Sequence, residues 1–400
     1  MAIKCDVLIL GAGVVGLATG IALLESKPSL KVIIAEKEKY LAMHASGRNS
    51  GVLHAGFYYT PDSLKAKFCR DGNKELKILA QKYNIPIREV GKVVVTRSMD
   101  ELERLETLFQ RGIANGVDLE ICEAKDLQKI EPLAVTCEKF LWSPTTAVSD
   151  SKAIVNSMYQ EFIALGGQVH FNRKIDLKIS NEEVYDGTKT FDAKYIINAA
   201  GAQADRISRS VGVGSEYAML PFMGVYRATK EKNLPLQRLV YPVPHPINPF
   251  LGVHFTLTID RKVKIGPTAI PIAGREQYSL LNGWSGTDIG QAFKGMKSLV
   301  KGDAHDFSSI LKTEWPKIFQ SMLVKESTAL VPTADTVRNW DRKPPGIRAQ
   351  LVHVPTGKLE QDFVVKSAAN STHVLNAVSP GWTSAIPFGK WIVQNLSKAY

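Results

Sequence analysis

The chain has 400 residues, 44% hydrophobic and 22% charged, the make-up of a globular protein large enough for two lobes with separate cores. Fifty basic residues against 39 acidic ones leave a net charge of +11, which favours an acidic substrate, a dinucleotide or an anionic membrane surface. The lysines and arginines are scattered, with no aromatic-interleaved cluster, so the composition argues against nucleic-acid binding.

The first strong signal is at the start. An apolar strand at 5–10 runs into GAGVVG at 11–16, a helical pattern follows to Lys27 before Pro28, and KVIIAE ends a second strand on Glu36. Gly11 permits the tight turn, Gly13 lets the backbone approach a pyrophosphate, and Gly16 lets the helix pack close on the strand. The free N–H groups of the new helix then face the phosphates, helped by the helix dipole. Glu36, 20 residues after Gly16, can accept both ribose hydroxyls of an adenosine and would repel a 2′-phosphate, which leaves FAD or NAD. The apolar run 7–24 holds four glycines and fits this fingerprint better than a membrane span.

Residues 44–56 are rich in small side chains, which lets backbone lie against a flat ligand. An amphipathic helix is expected from Ser63 to Asn84, with Lys65, Lys67, Lys74 and Lys77 on its wet face. A strand at 88–98 precedes a helix at 100–116 that stops on glycine, and 123–131 forms a short helix before Pro132. A capped helix over 149–167, a strand QVHFN and a hairpin at 175–192 follow. KYIINAAGAQADRIS at 194–208 is a buried strand breaking at AAG into a helix, a second unit that returns to the first sheet. Residues 217–345 are proline-rich strands (YPVPHPINP at 241–249) with helical character around 286–325, and βα character resumes from Ala349. Four cysteines (Cys5, Cys69, Cys122, Cys137) have neither CxxC spacing nor clustered histidines, which points away from zinc and disulfides to a reducing, cytoplasmic setting. The expected class is α/β: a discontinuous Rossmann-like domain over 1–86, 147–214 and 346–400, with an antiparallel-sheet substrate domain over 87–146 and 215–345.

GAGVVG with Glu36, NAAG at 198–201 and SPGWTSA at 379–385 together resemble the FAD-dependent D-amino-acid oxidase superfamily. Within it, RNSGVLHAGFYYTP, YPVP with PFLGVHFT, GIRAQLV and GKLEQDF resemble the L-2-hydroxyglutarate dehydrogenase (oxidase) family, nearly end to end. Trp382 departs from the pattern, a bulky residue where a small one is expected. The resemblance implies a D-amino-acid oxidase/glutathione reductase type FAD domain and a dissociable FAD. It also implies oxidation of L-2-hydroxyglutarate to 2-oxoglutarate by hydride transfer to flavin N5, with quinone or oxygen as electron acceptor. By the same resemblance Gly11, Gly13, Val14, Val15 and Gly16 meet the pyrophosphate and Glu36 the ribose. Ser46, Asn49, Ser50 and Gly51 lie along pyrophosphate and flavin, near Ala200 and Gly201. Pro380, Gly381, Thr383 and Ser384 open the last helix, its amides towards the flavin.

Oxidising an α-hydroxy acid releases a proton as the hydride leaves, work suited to histidine. His54 and His254 lie in matching motifs and are the candidate bases. Arg348 occupies the position that clamps the substrate carboxylate in relatives. Tyr59, Tyr241, Arg227 and Lys358 are candidates for the second carboxylate of a dicarboxylate 2-hydroxy acid. His373 is expected to support the C-terminal strand, and His44, His170, His245, His305 and His353 are given no role; no metal is expected. The basic charge permits peripheral binding at the inner face of the plasma membrane, near a quinone pool. Alternatives are an amine or glycerol 3-phosphate as substrate, or a non-catalytic flavoprotein; a NAD enzyme would leave NAAG and SPGWTSA without a job.

Overall fold

The computed structural model describes residues 1–230, 233–245, 250–279, 282–283, 285–302 and 311–396. His305 and positions 246–249 of the proline-rich segment lie outside the described residues. Strand Ile3–Leu10, helix Val14–Ser26 and strand Val32–Ala35 form the expected opening unit. Ile3–Leu10 is central in a six-stranded sheet, flanked in parallel by Val32–Ala35 and Phe191–Asn198. Gln168–His170 extends it beyond Val32–Ala35, and Ser371–Asn376 beyond Phe191–Asn198; only Val364–Ala368 is antiparallel. Buried on both faces, Val32–Ala35 and the C-terminal halves of Ile3–Leu10 and Phe191–Asn198 carry near-continuous apolar runs, as inner parallel strands must. Leu17, Phe162 and Phe388, from three different helices, share one core over this sheet.

The second sheet is built mainly of antiparallel strands. From one edge it runs Lys358–Leu359, Trp340–His353, Tyr217–Thr229, Val263–Gly266, His254–Leu257, Leu239–Pro242, Lys92–Val95, Lys139–Ser143 and Glu120–Glu123. The pair Leu239–Pro242 with Lys92–Val95 is parallel. Residues 346–353 were expected in the dinucleotide unit. They belong instead to the second sheet, because Trp340–His353 pairs with Tyr217–Thr229 along both strands, with one register shift between Gly224 and Tyr226. The first sheet regains the chain only at Val364.

Local chemistry sets the helix starts. Ser63 accepts from Ala66 N at 3.1 Å to cap Leu64–Lys82, and Asp150 accepts from Lys152 N and Ala153 N to cap Ser151–Ala164. Asp362, from far along the chain, adds a second cap to the first of these helices through Leu64 N and Lys65 N. That docking overturns one expectation. Lys65 is buried, while Lys67 and Lys74 stay exposed.

Candidate active site

A cavity of about 1120 Å³ runs between the two sheets. That exceeds the roughly 300–1,000 Å³ of ordinary ligand pockets, as a dinucleotide with a substrate beside it requires. Its walls include Gly11, Gly13, Val14, Val15, Glu36, Ser46, Asn49, Ser50, Ala200, Gly201, Pro380, Gly381 and Thr383 at one end and His54, Tyr241, His254 and Arg348 at the other.

The dinucleotide end is made largely of backbone. Gly11 has φ +101°, and a Cβ there would stand 2.8 Å from Ala199 O, so only glycine makes this turn. A Cβ on Gly16 would meet Gly11 O at 2.0 Å; this glycine shapes the turn from behind without lining the cavity. Helix Val14–Ser26 has no side-chain cap at Gly13, and Val14 N donates to Ser46 Oγ at 3.1 Å. Glu36 is held by Ala12 N at 2.8 Å and Glu38 N at 2.9 Å. Asn49 is spent within its own loop, donating to Ala45 O and Ser46 O and accepting from Gly51 N, and Gly51 packs under Ser149 rather than on the wall. Past the cis Ser379–Pro380 bond, the chain turns into helix Ala385–Gln394. Trp382, the residue that departs from the family pattern, packs into the core and lines the cavity. Its Nε1 and Ser384 Oγ are buried without a partner. A glycine cradle, a helix start touched by one serine hydroxyl alone, a fixed terminal carboxylate and the orphaned indole N–H of Trp382 on the wall fit FAD.

At the other end the groups are side chains brought together by the second sheet. Val240 pairs with Phe255, which sets Tyr241 and His254 side by side, with rings stacked 3.9 Å apart and 23° from parallel. Lys92, on the next strand, has its Nζ 4.1 Å from the Tyr241 ring centroid and 3.5 Å from His54 Nδ1. His54 itself is pinned through its backbone: Thr383 Oγ1 accepts from its N, and its O accepts from Asn73 Nδ2. His254 Nδ1 lies 2.8 Å from Gly252 O. Arg348 stands opposite Phe222 in the strand pairing, with its guanidinium 4.8 Å from the Phe250 ring centroid.

Burial dominates the electrostatics here. It drives His254 down to about 3 and His54 well below the ordinary imidazole value, with Lys92 and Arg348 pushing both the same way. Lys92 is pushed down to about 7 and Lys65 to about 8, again mainly by burial. Burial also lowers Arg348 and pushes Tyr226 up to about 12. No carboxylate among the described residues lies within ion-pair distance of Arg348. Asp362 is engaged by the amides of Leu64, Lys65 and Phe363.

Not every candidate converges. Arg227 lies off the cavity wall, while Tyr226, its neighbour in an alternating strand, is on it. Lys358 is exposed on the edge strand and off the wall, and Ser384 is buried and off the wall as well. Tyr59 is not on the wall either, although its hydroxyl, raised well above its usual value by burial, feels Arg348. His373 bridges Ser371 Oγ of its own strand and Asn198 Nδ2 of the neighbouring one. His44 lines the dinucleotide end, with Nδ1 2.6 Å from the Tyr278 hydroxyl and Nε2 2.8 Å from Glu38. Glu38, His44 and Glu276 are close enough to ligate an ion, but the Lys37 ammonium sits among them, 3.0 Å from Glu276 and 2.9 Å from His44 Nε2. Lys92, Tyr226, His44 and the buried state of Lys65 were missed. Only the strand GKVVV around Lys92 gave a hint, as a lysine leading an apolar run.

The FAD dependent oxidoreductase family matches residues 6–395. The chain is 36% identical to L-2-hydroxyglutarate dehydrogenase, mitochondrial, of Caenorhabditis briggsae, covering 97% of this chain and 92% of that one. It is 33% identical to the L-2-hydroxyglutarate dehydrogenase of Escherichia coli K12, covering 98% and 93%. The chain belongs to the L-2-hydroxyglutarate dehydrogenase family of FAD-dependent oxidoreductases. Among solved folds, FAD-bound L-alpha-glycerophosphate oxidase from Mycoplasma pneumoniae matches with TM-score 0.75 at 24% identity, covering 98% of this chain and 94% of that one. Glycine oxidase from Geobacillus kaustophilus matches with TM-score 0.72 at 16% identity, covering 99% and 95%. These two likenesses establish the flavoenzyme fold that this family shares.

Proposed function

We propose that the protein oxidises L-2-hydroxyglutarate to 2-oxoglutarate. The observation that carries this reading is Arg348, a half-buried guanidinium on the cavity wall without a carboxylate partner, beside two neutral imidazoles. An anionic substrate supplies the missing counter-charge, and a planar fork holds its carboxylate in one orientation. Tyr241 and Tyr226 shape the wall around the substrate, and Lys65 and Lys92 add positive charge behind it for the second carboxylate. Bound FAD, held by Gly11, Gly13, Ser46, Glu36 and the start of the last helix, would supply the hydride acceptor. The residues of the chain bind the diacid, exclude water and take up the hydroxyl proton.

For the discontinuous dinucleotide domain we place the last boundary between Leu359 and Val364. Quinone or oxygen is proposed as the electron acceptor. No helix among the described residues is long and apolar enough to cross a membrane, so contact with a membrane quinone would be peripheral. The test is anaerobic mixing of the yellow protein with each candidate substrate. L-2-hydroxyglutarate should bleach the flavin, and the D-enantiomer, glycine and glycerol 3-phosphate should not. Bleaching by either of the last two alone would overturn the substrate. Reoxidation by air against a soluble quinone analogue then separates the acceptors.

A further inference from the structure

The two histidines at the substrate end have different neighbours, and the neighbours dictate which nitrogen of each ring carries the proton. A carbonyl can only accept, so Gly252 O, 2.8 Å from His254 Nδ1, requires the hydrogen on Nδ1 and leaves Nε2 bare. The stack on Tyr241 fixes the plane of that ring. His54 is the reverse. Its Nδ1 lies 3.5 Å from Lys92 Nζ, which has no carboxylate partner among the described residues and sits against Phe57, Tyr58 and Tyr241. The ammonium form of Lys92 can only donate, and its hydrogen bond to Nδ1 places the hydrogen of His54 on Nε2. Lys92 is off the cavity wall and His54 is on it, so the lysine acts from behind the imidazole.

We propose that His254 is the base and His54 is a hydrogen-bond donor to the substrate, held in that tautomer by Lys92. The hydroxyl proton passes to His254 Nε2 as the O–H bond breaks. The oxygen's electron pair forms the C=O bond, and the C2–H pair leaves as hydride to the oxidant, FAD. His54 Nε2–H donates to a substrate oxygen throughout and exchanges no proton. Lys92 is a positioning residue. The charged and titratable groups around this pair are Lys92, Arg348, Cys69, Tyr58 and Tyr241. No acid among them competes with Lys92 for His54. Burial keeps both imidazoles neutral at working pH, so one tautomer of each persists.

The assignment rests on the proposed substrate only for its kinetic arm. Nitrogen-15 spectra of histidine-labelled, FAD-loaded enzyme read the tautomers without substrate, since protonated and bare ring nitrogens are well separated in shift. Expected are Nδ1–H for His254 and Nε2–H for His54, with Lys92→Met moving only the His54 signals. In anaerobic flavin reduction His54→Gln, which keeps a donor, should lose about tenfold, the scale of one weakened hydrogen bond. His254→Gln should lose about 10²–10⁴-fold, the range of a lost general base. Nε2–H on His254, Nδ1–H on His54, or equal losses in the two glutamine variants would overturn the proposal. Wild-type enzyme left unbleached by L-2-hydroxyglutarate would overturn the substrate instead, and the spectra would still decide the tautomers even if a variant failed to fold.

Discussion

At the dinucleotide end of the cavity, the groups offered to a ligand are mostly backbone: the Gly11–Gly16 turn, the uncapped start of helix Val14–Ser26, and the bend before helix Ala385–Gln394. At the substrate end they are charged and aromatic side chains from strands far apart in sequence, Tyr241, His254 and Arg348, with Lys92 behind them. Backbone amides bind an anion without bringing a buried charge of their own, so that end is stable when empty. Buried cations raise the energy of the empty site and recover it when a dianion arrives. One end is built to hold a cofactor by many small contacts, the other to select a substrate by a few large ones.

Of the variants that set one end against the other, Arg348→Met should therefore give the largest effect. The thioether keeps much of the stem volume while removing the half-buried guanidinium proposed to pair with the substrate carboxylate. Loss of such a charge-assisted pair costs about 3–4 kcal/mol, or roughly 10²–10³-fold in kcat/KM. FAD affinity, followed by flavin fluorescence, should stay as it was. An equal loss in FAD affinity would mean that the two ends are not separable.

The same contrast explains what could be seen in the sequence. The dinucleotide end was legible because its turn, helix and terminal acid are contiguous, and glycine spacing reports backbone geometry directly. The substrate end was legible at His54, His254 and Arg348 through motif resemblance. Lys92 was hidden because its burial depends on a parallel pairing with Leu239–Pro242, almost 150 residues away, which local spacing does not encode. Arg227 is the expected residue of its strand, but alternation gives the period and not the phase, and here Tyr226 faces the cavity. Lys65 was set on the wet face by helical spacing, and the docking of Asp362 on the first turn buries it.

Lys65→Met sharpens the comparison in the opposite direction, because it should stabilise the substrate-free protein. Burial depresses the amine to about 8 from the ordinary lysine value of 10.5. Below pH 8 the lysine is charged in both folded and unfolded chains, and the full burial cost is present. Between about pH 8 and 10.5 the unfolded chain holds a proton that the folded one has released, so wild-type stability rises with pH and the advantage of methionine fades. At pH 7 the variant should melt a few degrees higher, corresponding to a few kcal/mol at most. A melting temperature unchanged at pH 7, or a gain that grew with pH, would show that Lys65 is not a charge held at a cost.

Glu36→Gln should give the smallest change. The carboxylate accepts from the Ala12 and Glu38 amides and has lone pairs to spare for ribose hydroxyls. A glutamine keeps one accepting oxygen and turns an NH₂ toward one of those amides, so one charge-assisted contact is weakened and one donor is left facing another. That amounts to about 1–1.5 kcal/mol, or roughly tenfold in the FAD dissociation constant measured by fluorescence titration. Turnover at saturating FAD should be unchanged, because the residue lines the dinucleotide end of the cavity, away from the imidazoles. The glycine turn and the helix amides remain, and they carry most of the binding. If Glu36→Gln weakened FAD by a thousandfold or more, the cofactor end would depend on one side chain as heavily as the substrate end depends on Arg348, and the division of labour between backbone and side chain would fail.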